Sequence, residues 1–63
     1  MNAKRQALEA LKNSNYRFCR AGANHDIYIN DELGTMIPIR HHFTDSDLKV
    51  ILKEIERNKR GNE

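Results

Sequence analysis

Tyr16-Arg17-Phe18-Cys19-Arg20-Ala21-Gly22-Ala23-Asn24-His25-Asp26-Ile27-Tyr28-Ile29-Asn30 is the stretch on which the fold of this chain turns. Aromatic and β-branched residues enrich both Tyr16 to Ala21 and His25 to Asn30, which reads as two strands. Gly22-Ala23-Asn24 between them is short enough for a hairpin, and its glycine permits a tight backbone path. The turn delivers one histidine, His25, to the start of an apolar–polar alternating run. Along that run Ile27 and Ile29 share one face and Asp26, Tyr28 and Asn30 the other.

The elements on either side follow from local pattern. Ala3, Ala7, Leu8 and Leu11 recur at helical spacing, and Ala, Leu, Lys and Glu favour helix, so Ala3 to Lys12 is expected to be helical. Asn13-Ser14-Asn15 breaks that pattern. After the hairpin, Asp31-Glu32-Leu33-Gly34 reads as a compact turn, and Thr35 to Ile39 as a third strand. Pro38 donates no ladder hydrogen bond, which places that strand at an edge or a bulge. Thr44 is an N-cap candidate, with Asp45 and Asp47 in the first turn where the helix dipole favours acids. Leu48, Ile51, Leu52 and Ile55 then form one apolar stripe at i, i+3, i+4 and i+7. Gly61 ends the pattern, and residues from about 58 to 63 read as a flexible tail.

The expected fold is therefore α+β, in the order α-β-β-β-α. A three-stranded antiparallel sheet carries two helices on one face, as a single domain over residues 1–63. Ile27, Ile29, Ile37 and Ile39 are expected to point at the helices, leaving Asp26, Tyr28 and Asn30 on the open face. Strict alternation then puts His25 on the isoleucine side, and only twist or a bulge redirects it.

Composition narrows the class. The chain has 63 residues, 38% hydrophobic and 32% charged, which suits a small globular domain better than a disordered segment. No apolar run approaches the roughly 20 residues of a membrane span. The N-terminal residues are followed by no long apolar stretch, so they do not read as a secretory signal. Cys19 is the single cysteine. It forms no internal disulfide, reads as a small packed residue rather than a nucleophile, and points to a cytoplasmic setting. A formal net charge of +2 does not by itself establish a nucleic-acid partner. Arg17, Arg20 and Arg40, however, lie near His25 in sequence or in the expected strand order, and Lys59 and Arg60 decorate the end.

Arg20-x-Gly22-x-Asn24-His25-x-Ile27-Tyr28, then Ile37-Pro38-Ile39-Arg40-His41, then Leu48-x-x-Ile51-Leu52 together resemble the HicA toxin family. The likeness covers nearly the whole chain, from the first helix to about Ile55. It departs at Asn15-Tyr16, where many members carry Gly-Trp, and at Ala23-Asn24, where many carry Ser or Gly-Asn. HicA proteins are endoribonucleases (mRNA interferases), the toxins of type II toxin–antitoxin pairs, with a double-stranded-RNA-binding-domain-like α-β-β-β-α fold. The resemblance implies mRNA as substrate, a HicB-like antitoxin as partner, no membrane, no metal and no cofactor. It places the catalytic histidine at His25.

That chemistry suits these residues. RNA carries its own nucleophile, the 2′-hydroxyl, so an enzyme needs only to move protons and to stabilise charge on phosphorus. Histidine is the side chain whose unperturbed pKa lets it take and give a proton near neutrality. Arg20 and Arg40 are candidates to hold the phosphate through charge-assisted hydrogen bonds. Tyr28 is a candidate to stack on an unpaired base or to donate a hydrogen bond; capping the open sheet face or meeting a partner protein is an equal reading. His41 and His42 are candidates for a second acid–base group if the third strand returns close to His25. The alternative to a ribonuclease is a non-catalytic RNA-binding or protein-interaction module on the same scaffold, with Arg17, Arg20 and the terminal basic residues as phosphate contacts.

Overall fold

The computed structural model describes residues 2–61. Its elements run α1 (Ala3–Asn13), β1 (Arg17–Ala21), β2 (His25–Asn30), β3 (Thr35–Arg40) and α2 (Asp45–Arg60). The strands form one antiparallel sheet in the order β1-β2-β3, and the two helices pack on one face of it. This is the α-β-β-β-α arrangement expected of a double-stranded-RNA-binding-domain-like fold. Among the described residues, no helix is long and apolar enough to cross a membrane.

Both helices begin on side-chain caps. Asn2 accepts the Arg5 N–H at 2.8 Å. Thr44 accepts the Asp47 N–H at 3.3 Å, and the Asp47 carboxylate takes the Thr44 N–H at 2.9 Å in return. This reciprocal capping box satisfies donors that the first turn of a helix otherwise leaves free. At the other end of α1, Asn15 turns back with φ 67°, a conformation asparagine tolerates. The turn lets the Tyr16 N–H reach the Leu11 carbonyl at 2.9 Å.

The core is small. Ala7 and Leu11 of α1, Tyr16, Ile37 and Ile39 of β3, and Ile51 of α2 are buried, with Leu8, Tyr28, Phe43, Leu48 and Ile55 packed against them. Leu52, expected in the stripe, is 47% exposed. The apolar stripe of α2 is thus Leu48, Ile51 and Ile55, and Leu52 lies on its flank.

The register of β2 against β3 corrects the expected facing of the sheet. Tyr28 stands opposite Ile37, Asp26 opposite Ile39 and Asn30 opposite Thr35. Directly opposed residues share a face, so the helix side carries Asp26, Tyr28 and Asn30 with the buried isoleucines of β3. Ile27 and Ile29 lie on the open face, opposite Pro38 and Met36. Asn30 tolerates the interior because both ends of its amide are hydrogen-bonded. Nδ2 donates to the Ser14 carbonyl at 2.9 Å, and Oδ1 accepts the Leu33 N–H at 3.0 Å. One buried amide thereby ties the α1–β1 connection to the β2–β3 turn.

Two further expectations change. From residue 58 to Arg60 the chain is helix rather than tail: α2 continues through Arg60, and the Asn58 Nδ2 donates to the Tyr16 hydroxyl at 3.1 Å. The last two residues of the expected tail lie outside the described residues. Cys19 is exposed rather than packed. It is the extra residue of a bulge in β1, where pairing passes from Phe18 opposite Tyr28 to Arg20 opposite Ile27.

Candidate functional site

That bulge decides which cations meet. In a regular strand, Arg17 and Arg20 sit three apart and point to opposite faces. The extra residue restores Arg20 to the face of Arg17, and both stand opposite isoleucines of β2 on the open side of the sheet. They differ in availability. Arg17 pairs with Asp31 through Nε at 3.0 Å, and that carboxylate holds its guanidinium pKa above the usual value. Arg20 has no ion pair among the described residues.

His25 opens β2 on the same face. Alternation puts it with Ile27 and Ile29, as expected, and because that is the open face no redirecting bulge is needed. The Gly22 N–H donates to the His25 carbonyl at 2.6 Å, and a Cβ on residue 22 would sit 2.7 Å from that oxygen. Glycine is required here by close approach, not by a left-handed φ. The His25 side chain is exposed and makes no hydrogen bond to another described residue.

Directly across β3 from His25 stands Arg40. The His41 N–H bonds the Asn24 carbonyl at 2.9 Å, which marks that pair as hydrogen-bonded. By alternation His25 and Arg40 form a non-hydrogen-bonded pair, whose Cα atoms approach to about 4.5 Å and whose side chains are the closer for it. Ile27 and Pro38 are the next such pair, so the missing N–H of Pro38 faces outward and removes no ladder bond. Arg40 also reaches α2, with Nη1 3.4 Å from the Asp47 carboxylate. The Thr44 hydrogen bonds hold the Asp47 carboxyl below its ordinary range, with smaller help from Arg40, so it stays ionised. A guanidinium carries five N–H donors, and this single long contact leaves Arg40 free to grip another anion.

Arg20 is the diagonal neighbour of His25, because its direct partner is Ile27. Diagonal neighbours lie about 7–8 Å apart, within reach of long side chains. His25, Arg20 and Arg40 therefore share one corner of the open sheet face. Two other candidates do not join them. Tyr28 faces the helix side, where its ring meets Phe18 edge-on with centroids 5.7 Å apart. Burial, with Asp26 nearby, raises its pKa and keeps the phenol neutral. The expected place of Tyr28 on the open face is corrected: it lies on the helix side, opposite the buried Ile37. His41 places Nε2 2.8 Å from the Asp26 carboxylate, and Asp26 belongs to the helix side. That contact draws His41 away from His25.

A groove that sequence spacing did not reveal begins at the same corner. It has a volume of about 320 Å³ and runs along the β3 edge beside α2. Ile37, Phe43, Val50 and Ile51 give it an apolar floor, and His25, Arg40, Asp47 and Glu54 stand on its rim.

No protein-family model, no curated protein and no solved structure matches this chain.

Proposed function

We propose that this protein is a ribonuclease of the HicA type, the toxin of a type II toxin–antitoxin pair, which cleaves mRNA with His25 as its acid–base group. The observation that carries the reading is the corner itself: an exposed histidine, unpaired among the described residues, flanked by Arg40 directly and Arg20 diagonally. All three residues fall within the stretches that resemble the family, and they share the open sheet face.

In this account the arginines take the scissile phosphate by charge-assisted hydrogen bonds and stabilise the charge that grows on its oxygens. A bond forms from the 2′-oxygen to phosphorus and the bond to the 5′-oxygen breaks. The products are a 2′,3′-cyclic phosphate and a free 5′-hydroxyl. His25 either removes the 2′-proton while water protonates the leaving oxygen, or protonates the leaving oxygen while water takes the 2′-proton, a contribution of about 10²–10⁴-fold when well placed. A HicB-like antitoxin neutralises the toxin by covering this basic corner.

The purified protein is expected to cleave a single-stranded RNA and to leave the same RNA intact when every ribose is 2′-O-methylated. Cleavage of the methylated strand would exclude the 2′-hydroxyl mechanism. Salt-sensitive binding without cleavage of either strand would favour the non-catalytic RNA-binding module.

A further inference from the structure

We propose that the groove between β3 and α2 is a nucleobase subsite, which takes the unstacked base next to the phosphate held at His25 and Arg40 and disfavours uracil. The inference rests on the ribonuclease reading above and adds to it a substrate class: single-stranded RNA, with a base preference.

Three features of the groove point the same way. Its position is continuous with the candidate catalytic corner, since His25 and Arg40 line it. A strand whose phosphate sits there has an adjacent base within reach of the groove. Its size, about 320 Å³, falls at the small end of ligand pockets, suited to a base with part of its sugar rather than to a peptide or a helix. Its floor is apolar, with the aromatic ring of Phe43 among Ile37, Val50 and Ile51, and Val50 is 59% exposed. Such a surface is matched by the flat face of a base splayed out of a stack, which is how single-stranded RNA is read. A base held in a duplex is not free to enter.

The rim sets the polarity. Asp47 and Glu54 present carboxylates along the α2 side, while Arg40 stands on the β3 side. Two carboxylates repel phosphate from the groove and direct the backbone to the arginine corner. They also select among bases. Ionised carboxylates only accept hydrogen bonds, and the amino groups of cytosine, adenine and guanine supply the donors. Uracil offers carbonyl oxygens at those edges and a single ring N–H. Glu54 holds Arg57 at 2.7 Å and Asp47 holds Thr44 and Arg40, yet a carboxylate has about four lone-pair sites, so acceptor capacity remains.

The test is to map cleavage sites on a pool of randomised single-stranded RNA with the wild-type chain, Val50→Trp and Glu54→Gln. Neither Val50 nor Glu54 belongs to the buried core, and circular dichroism verifies that each variant folds. The wild type is expected to avoid uracil at one fixed position beside the cut by at least about fivefold. Val50→Trp fills the groove and is expected to erase that bias and slow cleavage, and Glu54→Gln to weaken it. A bias that survives both substitutions, or a wild type that cuts with no bias, overturns the subsite while leaving the ribonuclease reading intact. A wild type that cuts no RNA overturns both.

Discussion

His25 and Arg40 stand directly opposite one another in the β2–β3 ladder, at a position where neither backbone bonds the other and the side chains come closest. The pairing sets Arg40 across from His25 without a loop between them, within reach of a phosphate held at the imidazole. It makes the proposed phosphate grip a property of strand register.

Replacing Arg40 tests that grip. Arg40→Gln is expected to slow RNA cleavage about 10²-fold, the usual cost of removing one donor to a developing oxyanion. Its ion pair with Asp47 is exposed and long at 3.4 Å, so the melting temperature should move little. A large loss of stability would assign Arg40 to the fold instead.

Arg20 is expected to act at longer range. Binding of a short single-stranded RNA to the His25→Ala protein, followed by fluorescence anisotropy, should weaken as salt rises. Arg20→Gln should lower the slope of log affinity against log salt by about 0.7, the value for one phosphate contact on a single strand. Arg17→Gln should change the slope less, because Asp31 already engages Arg17.

Asn30 is the residue whose loss should most disturb the frame without touching the site. Asn30→Ala removes the partner of both the Ser14 carbonyl and the Leu33 N–H, and is expected to cost about 1–3 kcal/mol in denaturant unfolding. In a domain this small that is a large share of the stability margin.

The two faces of α2 make a matched comparison. Ile51→Ala should destabilise by about 2–5 kcal/mol, because Ile51 is buried in the core. Leu52→Ala, at a half-exposed position, should cost no more than about 1 kcal/mol. Equal losses would mean that the helix is rotated about its axis.

The capping box gives α2 an acid limit. The Asp47 pKa is depressed in the folded state, so its stabilisation is present above the unfolded carboxylate value of about 3.9 and is lost as pH falls below it. Thermal melts of the wild type should therefore drop through that window, and Asp47→Asn should flatten the drop. Thr44→Ala should cost about 1 kcal/mol at neutral pH by removing the cap.

The helices and the strand order were legible because their signals are local. Thr44 with Asp45 and Asp47, the spacing of Leu48, Ile51 and Ile55, and the punctuation at Asn13-Ser14-Asn15 each need only near neighbours. The facing of β2 was not legible. Alternation says that Ile27 and Ile29 share a face, but which face depends on the strand alongside, and a one-residue change of register exchanges the two. The amide of Asn30 and the ring contact of Tyr28 make the less apolar face the inner one. The bulge at Cys19 was hidden for the same reason, since it is defined by the pairing of two strands and not by the sequence of one. Of the candidate site, His25, Arg20 and Arg40 meet, whereas Tyr28 and His41 turn to the other face. The groove escaped notice because its walls come from β3 and α2, which only folding brings together.

The most direct measurement compares the wild type with His25→Ala under a tightly controlled promoter, following growth and intact mRNA, with circular dichroism on both purified proteins. Catalysis by His25 predicts growth arrest and mRNA loss for the wild type only, with both proteins folded alike, because the His25 side chain is exposed and bonds no other described residue. Equal mRNA loss with His25→Ala would contradict it.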